Sequence, residues 1–314
     1  MKIIEWNCQG AFRKKHENIL SQKPDILIVP ECESEEKLKF GKLTPKPNQF
    51  IWFGDSPNKG IGIFSYSDFK IETLTCYNPN FRYIIPIKVT KGKKSFLLFA
   101  IWAMDNKDSP ETRYIGQIWL AINFYKKLLN LPIVLSGDFN SNKIWDDKKR
   151  VGNHSDMVSL LKNHQIESIY HYLYNEEQGE ESQNTFFMYR KEEKPYHIDY
   201  FFTSKHFFEN SISLKIEKFS DWKNLSDHVP LILETTTPEH SYNIEYNFSQ
   251  LVENQLKELS EQTKARFNDI IFETLKQAKK LDNITESDSV FNERKSLAKK
   301  IEQLKSIEKL LEGL

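Results

Sequence analysis

The stretch LPIVLSGDFNSN, residues 131–142, decides how the rest of the chain is interpreted. Its first half is an apolar run of the kind that forms a buried strand. The run stops at GDFN (137–140), which places the Asp138 carboxylate and the Asn140 amide at the end of that strand. Because polar groups at the rim of a core are costly to bury, this strand end is a candidate functional site. An ordinary turn is the competing interpretation, since Gly, Asp and Asn are frequent turn residues.

The same pattern recurs elsewhere in the chain. Four other apolar runs begin or end with side chains that bind metals or transfer protons. These are IIEWN with Asn7, DILIVPE with Glu31, HIDYFF with Asp199, and LSDHVPLIL with Asp227 and His228. A single case of this kind is weak support for a site, but five cases form a consistent chemical set.

Two of these residues suit a divalent metal. Glu31 and Asp227 offer hard oxygen ligands of the kind that hold Mg²⁺ or Mn²⁺. No group of Cys and His residues has the spacing of a zinc site. The sequence therefore predicts Mg²⁺, or Mn²⁺, as the cofactor.

The other residues suit proton transfer. His228 titrates near neutral pH, and an acidic residue such as Asp199 would orient its ring and stabilise its charged form. Asp138 is suited to taking a proton from water, and Asn140 to donating a hydrogen bond to phosphoryl oxygens. Together with a metal, these groups predict hydrolysis of a phosphate ester.

Composition limits the class of protein. The chain has 314 residues, of which 39% are hydrophobic and 13% aromatic, enough for a sizeable core. Lys+Arg and Asp+Glu both number 44, so a site for a polyanion must be made locally. The three cysteines fit a reducing compartment, and the sequence shows neither a signal peptide nor a run long enough to span a membrane. We expect a soluble, cytoplasmic protein.

The chain divides by character into two parts. Residues 1–238 carry short β-rich runs broken by turns, with a hairpin at 83–103 and helical stretches between the runs. One of these helices, at 154–165, has Ser155 or Asp156 as its predicted cap. Residues 244–314 lack proline and have no glycine before Gly313, which predicts a helical extension.

Two amphipathic helices are predicted in the extension. The first has its apolar stripe between Leu251 and Ile271, and the second between Leu297 and Leu311. We expect these helices to pack on each other or on the main domain. A contact with a protein partner or a second copy is the alternative, because two such helices bury little by themselves.

The order of the motifs resembles a known superfamily. WNCQG, PECE, KGIGIFS, SGDFNSN, HIDYFFTS and SDHVPL occur with approximately the spacing found in the endonuclease/exonuclease/phosphatase superfamily, which has the DNase I-like fold. The resemblance spans residues 1 to about 235. It implies an α+β fold, a four-layered α/β sandwich of two packed mixed β-sheets flanked by helices, with the site at one end of the sheets.

The resemblance also implies roles for the motif residues. Asn7 would orient the metal environment, Glu31 would bind Mg²⁺, and Asp227 would assist the metal or the nucleophile. Asp138 with Asn140 would activate water and hold the phosphate, and Asp199 would pair with His228. Whether Asp138 or His228 is the general base stays open at this point.

One position departs from the superfamily pattern. Many members carry a His or Tyr where this chain has Trp102, and Trp has only an N–H donor. Either the metal would then stabilise the leaving oxygen unaided, or a proton donor would come from elsewhere, with Arg113, Tyr114 and His197 as candidates. Trp102 itself is either a core aromatic residue or a residue that stacks on substrate.

The substrate is less well defined than the bond. NKIWDDKKR (142–150) combines Trp145 with basic residues, as a groove for a stacked base and a backbone phosphate would. We predict a nuclease that hydrolyses DNA or RNA, with a small-molecule phosphoester or inositol-type phosphatase as the alternative. A non-catalytic binding scaffold that acts through the C-terminal helices is a third hypothesis.

Overall fold

The structure is a computed structural model of the chain. It describes residues 1–106, 112–147, 150–208, 211–238, 244, 247–257, 259, 261–282, 284 and 287–312. The described chain forms two compact units. The first comprises Met1–Thr73 and Tyr83–Ile244, and the second comprises Leu74–Arg82 and Glu245–Leu314.

The first unit is built on two mixed six-stranded sheets. In spatial order, the first sheet contains β13 (Ser213–Ile216), β14 (Leu231–Glu234), β1 (Lys2–Glu5), β2 (Ile26–Cys32), β4 (Lys59–Ser65) and β3 (Gln49–Ser56). The second contains β5 (Lys70–Thr73), β6 (Ile84–Lys91), β7 (Lys94–Trp102), β8 (Ile133–Asp138), β12 (Asp199–Ser204) and β9 (Ile166–Ser168). β10 (Phe186–Phe187) and β11 (Pro195–Tyr196) form a separate two-stranded sheet.

The central strands of the two sheets face each other across the core. Strand β2 contacts β7 and β8, and β12 contacts β14. Alternation along β1 sends Glu5 and Asn7 to one face, and Ile4 and Trp6 to the other. The second pair belongs to an apolar cluster that also holds Phe219. The strands that carry the predicted site residues are thus central and buried on both faces.

Helices occupy the outer layers of this unit. They are α1 (His16–Leu20), α2 (Glu35–Leu38), α3 (Ile115–Phe124), α4 (His154–Asn163), α5 (Ile169–Tyr174) and α6 (Phe219–Trp222). Together with the two sheets they make the α+β sandwich that the resemblance implies, so the predicted fold class is confirmed.

Local predictions fared unevenly. The hairpin predicted at 83–103 is confirmed by the antiparallel pairing of β6 with β7. The cap predicted for α4 was wrong. Asn153 caps this helix by accepting from the Asp156 backbone N–H, while the Asp156 side chain accepts from the Asn153 N–H. The cap is therefore the residue before the apparent start of the helix.

The second unit contains three helices. They are α7 (Phe248–Lys257), α8 (Glu261–Leu281) and α9 (Asp288–Glu312). The prediction of one helix from Leu251 to Ile271 was wrong, because the helix is interrupted between the end of α7 and the start of α8. Leu251 is fully buried, whereas Ile270 is 47% exposed, so the two parts of the predicted stripe do not share one buried face.

The boundary between the units also differs from a simple cut near residue 240. The segment Leu74–Arg82 belongs to the helical unit. Its short 3-10 helix, Pro79–Phe81, contacts α9. A sequence boundary based on composition alone does not reveal this inserted segment.

Among the described residues, every helix is too short or too polar to cross a lipid bilayer.

Candidate active site

Strand pairing brings the predicted residues of the second sheet together. Asp199 lies directly opposite Asp138 in the antiparallel pair of β12 and β8. Trp102 is the parallel partner of Asp138 on the other side, at the end of β7. Three of the predicted residues are thus neighbours across three adjacent strands.

The first sheet contributes the remaining polar residues. Asn7 follows β1, and Asp227 and His228 precede β14, which pairs with β1. The Asn7 backbone carbonyl accepts a hydrogen bond from the Ser226 hydroxyl at 2.7 Å, which fastens the segment before β14 to the end of β1. Because the two sheets pack face to face, these residues meet Asp138 and Asp199 at one end of the sandwich.

Asp138 lies at the centre of this cluster and is 1% exposed. Its Oδ2 accepts from the Asn7 amide at 2.8 Å and from the Asn140 amide at 3.0 Å, and its Oδ1 accepts from the Asn140 backbone N–H at 2.9 Å. The Asn140 amide also donates to the Ala103 carbonyl at 2.9 Å. These donors fix the Asp138 carboxylate in a single orientation.

The backbone around Asp138 explains the sequence GDFN. Gly137 has φ of +142°, and a Cβ there would lie 1.8 Å from the Ile101 carbonyl oxygen on β7. Only glycine fits at this position. Asn140 has φ of +45°, a left-handed conformation that Asn tolerates better than most residues. Gly137 therefore permits β8 to lie close to the neighbouring strand β7.

His228 is 5% exposed and is held by Asp199. The imidazole Nδ1–H donates to the Asp199 carboxylate, at 2.9 Å from Oδ2 and 3.1 Å from Oδ1. Asp199 is itself fully buried, and its backbone N–H donates to the Thr185 hydroxyl at 3.0 Å. The other ring nitrogen, Nε2, lies 3.9 Å from Asp138 Oδ2 and 4.0 Å from Asp227 Oδ1. Nε2 thus points between two carboxylates, beyond hydrogen-bond distance from either.

Burial and neighbouring charges give Asp138 and His228 different pKa values. Burial and the negative charge of Asp199 raise the pKa of Asp138 to about 7, against the opposing effects of His228 and the Asn7 amide. Burial alone would lower the pKa of His228, but the carboxylates of Asp199, Asp138 and Asp227 outweigh it and raise that pKa to about 10. At neutral pH the imidazole is therefore charged, and Asp138 is poised between its two forms.

Glu31 lies in a strained position at the rim. It has φ of +62° and interrupts the register between β2 and β4, where Pro30 and Cys32 are paired but Glu31 is not. The bulge turns its side chain outward, where it is 20% exposed and receives the Lys59 ammonium at 2.9 Å. The same ammonium lies 5.4 Å from the centroid of the Trp102 ring.

Asp227 is partly exposed and accepts a hydrogen bond from the Gln9 amide at 2.6 Å. The Gln9 side-chain Oε1 accepts from the Arg190 guanidinium at 2.9 Å. Burial raises the pKa of Asp227, the negative charge of Glu31 adds to this effect, and His228 opposes it. The negative charge of Glu31 thus acts on the Asp227 carboxylate.

The donor set fits a hard divalent cation. Glu31 and Asp227 are carboxylates at the accessible rim, and a cation between them would relieve their repulsion. Asp138, Asp199 and His228 form a second possible group of ligands, with one donor atom from each lying within 4.8 Å of the others. In that group the Asp199 oxygens both face His228 Nδ1, so Glu31 and Asp227 suit a metal better.

The side chains near β7 lie at different depths. Trp102 is 3% exposed and stacks on Tyr83 with ring centroids 4.9 Å apart, as a core aromatic residue would. Arg113 is half-exposed and pairs with Asp105 at 3.3 Å. Tyr114 is 39% exposed. Burial raises its pKa, and the charges of Asp105 and Asp138 add to the effect, which places the phenol within electrostatic range of the site.

The remaining two predicted residues differ in position. Trp145 is 50% exposed and begins a row of rings through Tyr196 and Phe186 to His228, with successive centroids 5.0, 6.3 and 4.6 Å apart. His197 is 2% exposed, and burial lowers its pKa to about 4. It is not brought to the surface of the site. Lys148 and Lys149, expected beside Trp145, lie outside the described residues.

Sequence reasoning missed several residues at the site. Gln9, Lys59 and Phe186 are polar or aromatic residues whose contacts join distant parts of the chain. Glu5 is fully buried, and neither carboxylate oxygen has a hydrogen-bond partner among the described residues. Burial and the charges of Asp199 and Asp138 raise its pKa well above the usual range. Its inward position follows from the two-residue spacing to Asn7, which is a pattern that the sequence does contain.

Comparisons with known proteins identify the fold. No family model matches the chain, and no curated protein matches it. Solved structures do match. A 3′ phosphatase from Neisseria bound to a product DNA hairpin has a TM-score of 0.54 and 19% identity, covering 75% of this chain and 99% of that chain.

Two further structures resemble the chain over a similar length. An AP endonuclease from Archaeoglobus fulgidus has a TM-score of 0.54 and 17% identity, covering 76% of this chain and all of that chain. A humanized TDP2 from D. rerio has a TM-score of 0.53 and 15% identity, covering 76% and 99%. The resemblance first found in the motifs is thus confirmed at the level of the fold. The chain has the DNase I-like fold.

Proposed function

We propose that the protein is a Mg²⁺-dependent phosphodiesterase, and that its substrate is a nucleic acid, DNA or RNA. The observation that supports this most strongly is the cluster in which Asn7 and Asn140 orient Asp138 while Asp199 holds a charged His228. Such a cluster combines a proton acceptor with fixed positive and polar groups, which hydrolysis of a phosphate ester requires.

Asp138 is the general base in this proposal. With a pKa of about 7, it takes a proton from the attacking water without holding it too tightly. His228 is charged at that pH, so it cannot act as a base, and its Nε2–H instead donates to a phosphoryl oxygen. The difference between the two pKa values supports Asp138, rather than His228, as the general base.

Glu31 and Asp227 hold the metal, with Asn7 orienting their surroundings. A divalent cation in this position supplies positive charge that offsets the charge developing on the phosphate. Lys59, which pairs with Glu31, places a further positive charge beside this position. Mg²⁺ is preferred to Zn²⁺ because the donors are oxygens.

Tyr114 is the proposed donor to the leaving group. Of the three candidates it combines a titratable hydroxyl with exposure and electrostatic contact with Asp138. Arg113 is occupied with Asp105, and His197 is buried. Trp102 has a structural role, since its ring stacks on Tyr83 and lies beneath the Lys59 ammonium.

The aromatic row favours a nucleic acid over a small ester. Trp145, Tyr196 and Phe186 lead from the surface to His228, and bases stack readily on such rings. The similar Neisseria structure contains a DNA hairpin as product, which is compatible with this substrate class. Its description as a 3′ phosphatase makes a phosphomonoester at a DNA 3′ end the second candidate substrate.

A cleavage panel tests the proposal. It would contain single-stranded and double-stranded DNA, an abasic duplex, RNA, a 3′-phosphorylated DNA and an inositol phosphate, each with Mg²⁺, Mn²⁺ or EDTA. We expect metal-dependent cleavage of at least one nucleic acid, and loss of that cleavage in Asp138→Ala and in His228→Ala. Release of phosphate from the inositol compound alone would replace the nuclease with a small-molecule phosphatase. Equal inactivity of wild type and variants would favour a binding scaffold.

A further inference from the structure

A ring of hydrogen bonds begins and ends at the two residues that follow Asn140. It runs from Ser141 through His154, Gln178, His171 and Glu181 to Asn142, and the backbone closes it. Ser141 Oγ lies 3.1 Å from His154 Nδ1, and His154 Nε2 lies 3.0 Å from Gln178 Oε1. Gln178 Nε2 lies 3.1 Å from His171 Nδ1, and His171 Nε2 lies 3.0 Å from Glu181 Oε1. Asn142 Nδ2 lies 3.1 Å from Glu181 Oε2.

The ring joins segments that are distant in sequence. His154 begins α4, His171 lies in α5, and Gln178 and Glu181 belong to the loop that follows α5. Ser141 and Asn142 are 5% and 2% exposed, and His154 is fully buried. Four of the six side chains therefore tie the loop after β8 to elements that contribute nothing to the Asp138 cluster itself.

The polar atoms along the ring allow a consistent arrangement of hydrogen atoms that starts at Glu181. Glu181 accepts from the Gly179 backbone N–H and from Asn142 as well as from His171 Nε2. Burial alone would raise the pKa of Glu181, but these hydrogen bonds lower it to about 2, so its carboxylate is ionised and only accepts. His171 Nε2 must then carry a hydrogen. In the neutral imidazole its Nδ1 is the acceptor, and the Ser168 hydroxyl at 2.7 Å and the Gln178 amide at 3.1 Å both lie within reach of it.

The same logic fixes the other half of the ring. Because His171 Nδ1 accepts, the NH₂ group of Gln178 faces it and the Gln178 carbonyl faces His154. His154 Nε2 therefore carries its hydrogen, and its Nδ1 accepts from the Ser141 hydroxyl. Burial lowers the pKa of His154, which favours its neutral imidazole. Gln178 is thus the residue whose amide links His154 to His171.

We infer that Gln178 is a positioning residue for the proposed reaction: through His154 and His171 it holds Ser141 and Asn142, and so fixes Asn140 against Asp138. The inference rests on the proposed function. Asn140 is in a left-handed conformation, and its amide contacts Asp138 directly, so a small movement of Ser141 is passed to the carboxylate. Misplacement of a catalytic group costs rate more than substrate affinity.

A second contact supports the same loop position. The Tyr200 hydroxyl lies 3.1 Å from the Ser141 carbonyl and 2.8 Å from the His197 carbonyl, and the Asn142 amide also donates to the His197 carbonyl at 2.9 Å. These contacts keep the loop folded when Gln178 is replaced. A Gln178 variant should therefore remain a folded protein with a misaligned site.

The first test is a measurement of histidine tautomers. Long-range ¹H–¹⁵N spectra of the full-length, ¹⁵N-labelled protein distinguish Nε2–H from Nδ1–H imidazoles. We expect the neutral forms of His154 and His171 both to be Nε2–H tautomers. An Nδ1–H tautomer at either residue would overturn the assigned direction of the ring.

The second test compares Gln178→Met with Glu180→Gln, an exposed substitution in the same loop. With bis(p-nitrophenyl) phosphate as substrate and Mg²⁺ present, we expect Gln178→Met to lower kcat by about tenfold or more while KM stays within about twofold. Glu180→Gln should behave as wild type. An active wild type with an unchanged kcat in Gln178→Met would refute the positioning role while leaving the proposed function intact.

A third readout does not depend on activity. The side-chain NH₂ resonances of Asn140 should shift in Gln178→Met and stay in place in Glu180→Gln. Unshifted Asn140 resonances would overturn the inference even if the wild type hydrolysed none of the substrates, which is the separate outcome that would refute the proposed function.

Discussion

At the scale of single residues, the site depends on two buried acidic side chains with opposite tasks. Both carboxylate oxygens of Asp199 accept from His228 Nδ1. Asp138 instead accepts from side-chain amides, and its Oδ2 lies 3.9 Å from His228 Nε2. The residue types at the strand ends were sufficient to predict this set. The partners Thr185 and Gln9 were not predictable, because their contacts depend on how the chain folds back on itself.

Asp199→Asn should uncouple His228 from its orienting partner. An amide keeps the shape of the side chain but removes the negative charge that raises the pKa of His228. We expect kcat for phosphodiester hydrolysis to fall by about 100-fold or more. NMR titration should also give a His228 pKa lower than the wild-type value. Asp221→Asn, at an exposed position on α6, is the control and should change neither property.

Glu181→Gln should weaken the fold in a pH-dependent way. The folded-state pKa of Glu181, about 2, lies below its ordinary value of 4.5, because hydrogen bonds from His171 and Gly179 outweigh the effect of burial. The stability it contributes is therefore present above pH 4.5 and is lost as the pH falls toward 2. We expect the variant to lose about 1–3 kcal/mol near neutrality.

Urea denaturation checks this prediction at two pH values. The stability gap between wild type and Glu181→Gln should be largest near neutrality and should shrink below pH 4.5. A gap that stays constant, or that widens in acid, would show that the Glu181 carboxylate does not have the hydrogen bonds described here.

At the scale of secondary-structure elements, β8 is the strand on which the site is built. Its apolar start was recognisable as a buried strand, and its polar end as a site. The short edge strands β5, β9 and β13 were not recognised, since three or four residues are too few to show alternation. The capping of α4 by Asn153 was missed for a related reason: the residue that best fits a cap depends on where the backbone turns.

Gly137 gives β8 its close contact with β7. We expect Gly137→Ala to destabilise the protein by about 3 kcal/mol or more, since its φ of +142° and the approach to Ile101 exclude a side chain. The neighbouring Ser136→Ala is the matched control. The Ser136 hydroxyl is buried without a hydrogen-bond partner among the described residues, so its removal should change stability by less than about 1 kcal/mol. Equal stabilities of the two variants in thermal unfolding would contradict the close contact.

At the scale of the whole molecule, the chain is organised in two compact units. Every described residue of the Asp138 cluster belongs to the first unit, and the helices α7, α8 and α9 belong to the second. The change of composition after residue 238 predicted a helical extension. The inclusion of Leu74–Arg82 was beyond sequence reasoning, because its short apolar run gives no indication that it packs on helices far along the chain. The expected roles of the extension, in packing, partner binding or dimer contact, stay predictions.

Arg294→Ala tests whether the units are energetically separate. Arg294 is 2% exposed on α9, where its guanidinium donates to the Leu281 carbonyl at 3.1 Å and lies 5.7 Å from the Phe248 ring. Its loss should destabilise the helical unit and increase its cleavage by a protease. Phosphodiester hydrolysis should stay within about twofold of wild type, because Arg294 and the described residues of the Asp138 cluster belong to different compact units. The exposed Lys295→Ala is the control, and a large loss of hydrolysis in Arg294→Ala alone would show that the units are coupled.

The central claim is that the Asp138 cluster hydrolyses phosphodiesters with a divalent metal. Its most direct test is the rate of bis(p-nitrophenyl) phosphate hydrolysis by wild type and by Asp138→Asn, each measured with Mg²⁺ and with EDTA, after circular dichroism has shown that both proteins are folded. We predict hydrolysis by the wild type that requires Mg²⁺ and that falls by about 100-fold or more in the variant. Mg²⁺-dependent hydrolysis at the same rate in both proteins would contradict the account.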